Sequence, residues 1–200
     1  ITNISTDDVA VAQELGYVIK LVGDVREVES GISAEVSPTF LPKNHPLASV
    51  NDVMNAVFVE SIGIGESMYY GPGAGQKPTA TSVLADIIRI ARRLSDGNVG
   101  KPFNEFRRDL PLANPADVKS NYYFALDTPD EKGKILHLSE IFNSEDISFE
   151  QVLQQKANGT TARIVVITHA MSKTQLKAVT EKLEAAEDFT VVNTLKVLSN

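Results

Sequence analysis

A glycine-rich stretch, GPGAGQKPTA, precedes a long amphipathic run in this sequence of 200 residues. Gly71, Gly73 and Gly75 stand at alternate positions, and Pro78 follows at a place suited to the first turn of a helix. Glycines let a backbone approach another surface closely, and a helix start presents amide hydrogens to an anion. The stretch therefore predicts either a phosphate-contacting loop or a tight strand-to-helix turn without a ligand.

The known nucleotide-binding signatures do not match this stretch. No Gly-Lys-Ser/Thr sequence closes it, as a P-loop requires, and its glycines are not spaced as G-x-G-x-x-G. No strand–helix–strand unit is predicted around it. The pattern thus indicates close approach of a backbone and leaves the approaching group open.

Other residues that do chemistry form no recognisable constellation. The three histidines, His45, His137 and His169, lack the spacing of metal ligands, and the sequence contains no cysteine. No serine or threonine is accompanied by a histidine and an acid in a pattern for nucleophilic catalysis. We therefore predict no metal site and no catalytic residue.

The composition is that of an ordinary globular protein, with 42% hydrophobic and 22% charged residues. A net charge of -7 argues against nucleic acid as a partner. The sequence has no run of about 18 apolar residues, so we predict no membrane span, and we expect a cytoplasmic protein. Because the chain begins ITNISTDDVA, without Met, we expect a trimmed start or an excerpt from a longer protein.

The predicted elements that must position these segments give an α+β fold. Residues 1–95 read as a helix, a hairpin that turns at Ser30 and Gly31, a helical turn, a second strand pair or one long bent strand, and a long helix. These form an antiparallel sheet with helices on one face. Alternation in the hairpin predicts Val25 and Val36 on its buried face. Residues 96–119 read as a linker.

Residues 120–200 have a self-contained pattern of strand, helix, two strands, helix and strand. This βαββαβ order predicts a ferredoxin-like domain. Ser172 is the expected N-cap of its second helix. We predict a three-part division into residues 1–95, 96–119 and 120–200.

Several strings together carry a family resemblance. YYGPGAGQKPTATSVLADI, with ELGYVIKLVGDV, HPLASV and NAVFVE before it, closely resembles the C-terminal part of the substrate and dimerisation domain of homoserine dehydrogenase. YYFALDTPDEKGKIL and ARIVVITH resemble the ACT regulatory domain that follows in many bacterial members. The resemblance implies an NAD(P)-dependent oxidoreductase that interconverts L-homoserine and L-aspartate 4-semialdehyde, in the biosynthesis of threonine and methionine.

The resemblance also implies roles for individual residues. Gly73, with Ala74 and Gly75 as weaker neighbours, corresponds to the backbone that touches the cofactor. The nucleotide-binding domain and the catalytic lysines of the family precede the position that matches Ile1. We therefore expect NAD(P) to be bound mostly by that missing domain, and we expect the isolated chain to be inactive. The preference between NAD and NADP stays open.

In ACT domains an effector amino acid usually binds where the first strand turns into the first helix. In this sequence the turn contains Asp127, Lys132, Gly133 and Lys134. Amides at the helix start could hold the effector carboxylate, and Asp127 could accept hydrogen bonds from its ammonium group. The family suggests threonine as the effector. The proline that usually precedes the glycine is replaced by lysine, and an ordinary charged turn is the alternative.

Because the antiparallel strands of residues 1–95 would be poorly buried in a monomer, we expect a homo-oligomer, a dimer or higher, formed through the substrate-domain sheet and the ACT domain. A stand-alone amino-acid-binding regulatory protein without a catalytic role is the alternative function. The glycine-rich loop distinguishes the two, because a pure sensor has no use for a backbone surface directed away from its own core.

Overall fold

The computed structural model of the chain describes residues 3–98, 109–156 and 160–198. Contacts divide the chain into two units, one made of Ile1–Lys43 with Leu110–Asn200 and the other of Asn44–Asp109. Each unit has its own sheet. This division differs from the predicted three-part division, and residues 99–108 of the predicted linker lie outside the described residues.

The first unit contains three helices and seven strands within the described residues. The helices are α1 (Thr6–Glu14), α3 (Lys134–Asn143) and α4 (Lys173–Ala185). The strands are β1 (Tyr17–Val28), β2 (Gly31–Pro42), β5 (Lys119–Pro129), β6 (Phe149–Lys156), β7 (Thr161–Thr168), β8 (Met171–Ser172) and β9 (Thr190–Val197). Ser172 caps α4 as predicted, since its hydroxyl accepts from the Gln175 amide.

The larger sheet has the order β1-β2-β9-β5-β7-β6, with β8 paired to β5. β5 is antiparallel to both β7 and β9, and β6 is antiparallel to β7. The hairpin of β1 and β2 joins this sheet through a short parallel contact, with Thr39 beside Lys196 and Phe40 beside Val197. Residues from both ends of the chain therefore build one sheet.

Both faces of this sheet are buried because its central strands are apolar on both sides. Phe124 and Leu126 of β5 face α3 and α4, together with Leu138 and Leu183 of those helices. The intervening residues of β5 face a second core, which α1 and β2 close with Val11, Ala12 and Phe40. Continuous apolar strands need such a layer on each side.

A buried carboxylate fixes α1 on the second core. Asp8 is 2% exposed and accepts from Ser5, from Asn193 and from the Tyr123 hydroxyl, whose oxygen lies 2.9 Å away. Burial alone would raise the pKa of Asp8, but these hydrogen bonds outweigh it and hold the pKa below its ordinary value of 3.8. Asp8 therefore acts both as a helix cap and as an anchor to the sheet.

A cluster of five charges, Asp24, Arg26, Glu35, Lys173 and Lys196, fixes the hairpin to the sheet; it is called the ion cluster below. The ammonium of Lys196, on a side chain 6% exposed, contacts the carboxylates of Asp24 and Glu35. Glu35 also lies 2.6 Å from Lys173, and Arg26 lies 2.9 Å from Asp24. The cluster joins β1 and β2 to β9 and to the start of α4.

The second unit contains a short 3-10 helix (Pro46–Ser49), a two-stranded antiparallel sheet of β3 (Met54–Ser61) and β4 (Gly65–Pro72), and α2 (Gln76–Ser95). The glycine-rich stretch forms the connection from β4 to α2. Each of these elements was expected from the sequence, with α2 beginning two residues before Pro78.

The mixture of helices and mainly antiparallel sheets agrees with the predicted α+β class. The prediction of one antiparallel sheet for residues 1–95, with helices on one face, was wrong. β1 and β2 join the larger sheet, which has helices on both faces, and β3 and β4 pair separately. Val25 and Val36 are 70% and 72% exposed instead of buried. The register places Asp24 beside Glu35, so the charged face of the hairpin contacts Lys196 and the apolar face points away.

We expect Asp8→Asn to lower the free energy of unfolding by about 2 kcal/mol, because an amide NH₂ would face donors inside a buried site. Asp7→Asn is the matched control, since Asp7 is largely exposed and forms only a surface ion pair with Arg163, worth less than about 1 kcal/mol. Urea denaturation at pH 7 measures both values. Equal losses in the two variants would contradict the anchoring role of Asp8.

Stability should also fall in acid. The pKa of Glu35 is lowered because hydrogen bonds from Lys173 and Lys196 outweigh the opposing effect of burial, and the pKa of Asp8 is lowered as well. The unfolded chain therefore binds more protons at low pH, so the stabilisation is complete above the ordinary values of 4.5 and 3.8 and is lost below them. We expect Glu35→Gln to flatten the pH dependence of urea unfolding below about pH 5. An unchanged slope would contradict this assignment.

Candidate functional site

The glycine-rich bend leaves its main chain open. Gly73, Ala74 and Gly75 are all exposed, and they connect the end of β4 to the start of α2. The Gly73 amide donates to the Val53 carbonyl oxygen at 3.3 Å, which ties the bend to the start of β3. The bend is therefore held from behind while its outer surface stays accessible.

At two positions of the bend the structure favours glycine. Gly75 is the N-cap of α2 with φ +126°, a value that residues with a side chain rarely adopt. A Cβ on Gly73 would lie 2.0 Å from Nδ2 of Asn55, so the Asn55 side chain would have to move. Because Gly75 supplies no side chain to cap α2, the first turn of the helix has no side-chain cap.

α2 carries a broad apolar stripe that its own unit does not cover. None of its residues is buried within the described chain. The exposed apolar side chains are Val83, Leu84, Ile87, Ile88, Ile90 and Leu94. Tyr69 and Tyr70, just before the bend, are also exposed. A helix of this kind normally gains its stability by packing the apolar stripe against a partner.

A second candidate site lies in the first unit, between the end of β5 and the start of α3. It is a cleft of about 320 Å³, lined by Thr128, Pro129 and residues 131–136 with Gln154 of β6 and Ile164 of β7. Lys132, Gly133 and Lys134 of the predicted effector site line it. Gly133 caps α3 with φ +90°, so the first turn of the helix lies at the cleft without a side-chain cap.

Thr128 provides a polar group within this cleft. The residue is 2% exposed, and its hydroxyl oxygen has no hydrogen-bond partner among the described residues. Buried hydroxyl groups are normally hydrogen-bonded, so an unsatisfied one in the wall of a cleft points to a ligand. Together with the start of α3, Thr128 gives the cleft a hydroxyl and a positively polarised helix end.

An ionic clamp holds the start of α3. Asp188, in the connection from α4 to β9, binds the ammonium of Lys134, and its other oxygen lies 2.7 Å from Nδ1 of His137. These hydrogen bonds, first that from Lys134, lower the pKa of Asp188. Glu131 lies 3.3 Å from Lys134 on the cleft side. The clamp fixes the helix end against the loop that leads into β9.

Asp127 departs from the expected arrangement. Its carboxylate accepts two hydrogen bonds from Arg163, at 2.9 and 3.1 Å, and it does not line the cleft. Successive residues of a strand point to opposite faces, so Asp127 faces away while Thr128 faces the cleft. Asp127 therefore lies outside the cleft, where Glu131 is a lining carboxylate. The role of Asp127 as an acceptor for an effector ammonium stays a prediction.

Sequence reasoning missed Thr128, Glu131 and Gln154 as cleft residues. Thr128 could have been chosen by alternation, because it lies on the opposite face of β5 from Asp127. Glu131 lies in the predicted turn between the strand and the helix, but no sequence pattern distinguished it from the other charged residues there. Gln154 follows the alternation of β6, where a glutamine is also compatible with simple exposure.

Within residues 3–98, 109–156 and 160–198, no three His, Asp or Glu side chains are grouped so that they could hold a metal ion. Over the same part of the chain, no helix is both long and apolar enough to cross a membrane.

Comparison with known proteins connects these sites to one family. A sequence profile of the homoserine dehydrogenase family matches residues 1–88. The chain is 60% identical to a homoserine dehydrogenase of Lactococcus lactis over 98% of its own length and 46% of that protein. It is 33% identical to the Bacillus subtilis homoserine dehydrogenase over 94% of its own length and 44% of that protein.

A solved structure gives the same result. The crystal structure of a homoserine dehydrogenase from Thiobacillus denitrificans superposes with a TM-score of 0.90 and 30% identity, covering 100% of this chain and 46% of the other. The chain spans less than half the length of each of these relatives. The chain belongs to the homoserine dehydrogenase family and corresponds to the C-terminal part of its members.

Proposed function

We propose that the chain serves as the C-terminal part of an NAD(P)-dependent oxidoreductase that interconverts L-homoserine and L-aspartate 4-semialdehyde. The observation that carries the proposal is the open backbone bend at Gly73–Gly75, in a chain 60% identical to a homoserine dehydrogenase. The bend offers main chain with no side chain larger than a methyl group to a group outside the described residues, which is what close approach of a cofactor requires.

Gly73, Ala74 and Gly75 fit a contact with NAD(P). The exposed main chain can lie against the cofactor, and the uncapped start of α2 favours a nearby negative charge. When bound, NAD(P) would accept or supply the hydride of the reaction. Hydride transfer also needs the substrate held against the nicotinamide. Among the described residues neither candidate site has a group for that step, so we infer that the isolated chain is inactive.

The apolar stripe of α2 supports a partner for this unit. Two-stranded sheets and single amphipathic helices are marginal alone in water. We infer that α2 docks against the nucleotide-binding part of the enzyme, which would bring the adjacent Gly73–Gly75 bend to the cofactor. The exposed side chains of Val83, Ile87 and Leu94 would then be buried.

The first unit supports an ACT-type regulatory role. Its last two-thirds follow the order strand, helix, strand, strand, helix, strand, and the strands lie in the order β9-β5-β7-β6. This arrangement supports our inference of a ferredoxin-like domain. We infer that an amino acid binds the cleft, with its carboxylate at the start of α3, its ammonium near Glu131 and its side chain near Thr128. Threonine is the candidate effector.

Association of copies would cover further apolar surface. Leu21, Val25 and Val36 form an exposed apolar face on the hairpin. In the described sheet β6 is an edge strand, and edge strands pair readily with another chain. We infer a homo-oligomer that uses the hairpin face and the β6 edge, with a symmetric dimer as the simplest form.

A stand-alone amino-acid-binding regulatory protein is the second candidate. It is favoured by the cleft, which is formed wholly within the first unit. Such a protein would give no role to the Gly73–Gly75 bend or to the stripe of α2.

The first test of function is a chimera in which this chain replaces the matching region of the Lactococcus lactis homoserine dehydrogenase. We expect oxidation of L-homoserine with NAD or NADP, followed by absorbance at 340 nm, and no activity from the isolated chain. Gly75→Ala, which forces a side chain into the left-handed backbone region, should lower kcat/KM by about 100-fold through displacement of the bend.

Gly63→Ala is the matched control for this chimera. Gly63 lies in the turn from β3 to β4, and a Cβ there meets no atom within 4 Å. It should leave kcat/KM unchanged. A folded but inactive chimera would contradict the enzyme assignment, and full activity of Gly75→Ala would contradict the role of the bend.

The second test concerns the cleft. Calorimetry with millimolar L-threonine should detect binding to the chain, and Thr128→Val should weaken it by about 3- to 10-fold, the value of one hydrogen bond. Thr194→Val is the matched control, because the Thr194 hydroxyl is also buried and unpaired among the described residues but does not line the cleft. No heat from the unaltered chain would rule out threonine as the effector.

A further inference from the structure

β5 extends from the effector cleft to the hairpin. At its C-terminal end, Thr128 lines the cleft. At its N-terminal end, the guanidinium of Arg26 donates to the carbonyl oxygen of Lys119 at 3.1 Å and to the hydroxyl oxygen of Ser120 at 3.0 Å. One strand thus has the cleft at one end and a residue of the ion cluster at the other.

β9 makes the same connection in the opposite direction. It begins directly after the loop in which Asp188 clamps Lys134 and His137 at the start of α3. Near its other end it carries Lys196, whose ammonium contacts Asp24 and Glu35 of the hairpin. β9 pairs with residues 121–127 of β5, with one register shift between Ala125 and Leu126. The paired strands therefore connect the clamp to the ion cluster.

The hairpin has a discrete docked position on this pair. Its parallel contact with β9 covers only Thr39 beside Lys196 and Phe40 beside Val197. A slip of the hairpin by one residue would turn Asp24 and Glu35 to the opposite face and leave the Lys196 ammonium without them. A buried charge without a partner is strongly unfavourable, so the hairpin is either docked with both carboxylates or released.

We propose that the ion cluster couples the effector cleft to the β1–β2 hairpin, so that the ordering of the α3 start and the docking of the hairpin stabilise each other through β5 and β9. The proposal rests on the proposed regulatory function for its biological meaning. A ligand that orders the start of α3 would then favour the docked hairpin, and by linkage a docked hairpin would favour ligand binding by the same factor.

Hydrogen exchange on the full chain tests this coupling without any ligand. Glu35→Gln breaks the ion cluster and Asp188→Asn breaks the clamp. Each variant should speed exchange at both places, the amides of β1 and β2 and those of the α3 first turn, relative to the amides of β7 that report global unfolding. The double variant should differ from the product of the single effects by about 5-fold or more.

Glu181→Gln is the matched control, the same chemical change at an exposed pair with Lys177 on α4, and it should alter neither region. If Glu35→Gln affects only the hairpin, Asp188→Asn affects only α3, and the double variant is multiplicative, the coupling does not exist. If either variant speeds exchange at the distant region no more than Glu181→Gln does, the coupling is likewise contradicted.

L-threonine separates this proposal from the proposed effector. If threonine binds, Glu35→Gln should weaken its affinity by the factor by which threonine slows exchange in the hairpin. Equal affinity in both proteins would overturn the coupling. If threonine gives no heat with the unaltered chain, the effector assignment fails, and the exchange measurements on the variants still decide the coupling.

Discussion

The ammonium of Lys196 must be neutralised inside the first unit, and much of the architecture follows from that requirement. Its side chain is 6% exposed, and the carboxylates that meet it come from Asp24 and Glu35, about 160 residues or more earlier in the chain. Buried ion pairs add little net stability but penalise every alternative arrangement. Lys196 thus selects one register for the hairpin beside β9, where backbone pairing alone is short.

That selection explains an inversion in the hairpin. Its charged face contacts the sheet, while Leu21, Val25 and Val36 lie on the exposed face. The second unit is similar, because α2 keeps its apolar stripe exposed within the described chain. Large exposed apolar patches mark interaction surfaces. Both units therefore expose apolar surface of the kind that partners cover.

Local sequence signals predicted most elements of the fold. The hairpin turn near Ser30, the cap at Ser172 and the long helix after the glycines all depend on short-range patterns, which a single sequence records well. The pairing of β2 with β9 depends on residues far apart, and no local pattern encodes it. One signal was available: YYFAL and RIVVI are apolar on both faces, so their sheet needed a second covering layer. Val25 was misplaced because alternation identifies two faces without saying which one is buried.

The candidate sites divide in the same way. The glycines of the bend were identifiable because their special backbone needs are written in residue type, and Gly75 has the positive φ that only glycine tolerates well. Lys132, Gly133 and Lys134 of the predicted effector site line the cleft, whereas Asp127 does not, and Thr128, which does, was not among the predicted residues. Asp127 belongs to Arg163, a partner that only the three-dimensional pairing of β5 with β7 supplies.

The most direct test is to measure whether carboxylates hold the buried ammonium of Lys196. Nitrogen-15 NMR of lysine side chains at neutral pH distinguishes an ammonium held by carboxylates, whose protons exchange slowly, from one in water. Lys196 should give a resolved resonance that moves in Asp24→Asn, while exposed Lys177 should give none of this behaviour. A Lys196 signal indistinguishable from that of Lys177 would show that the hairpin is not docked on β9 and would contradict the account.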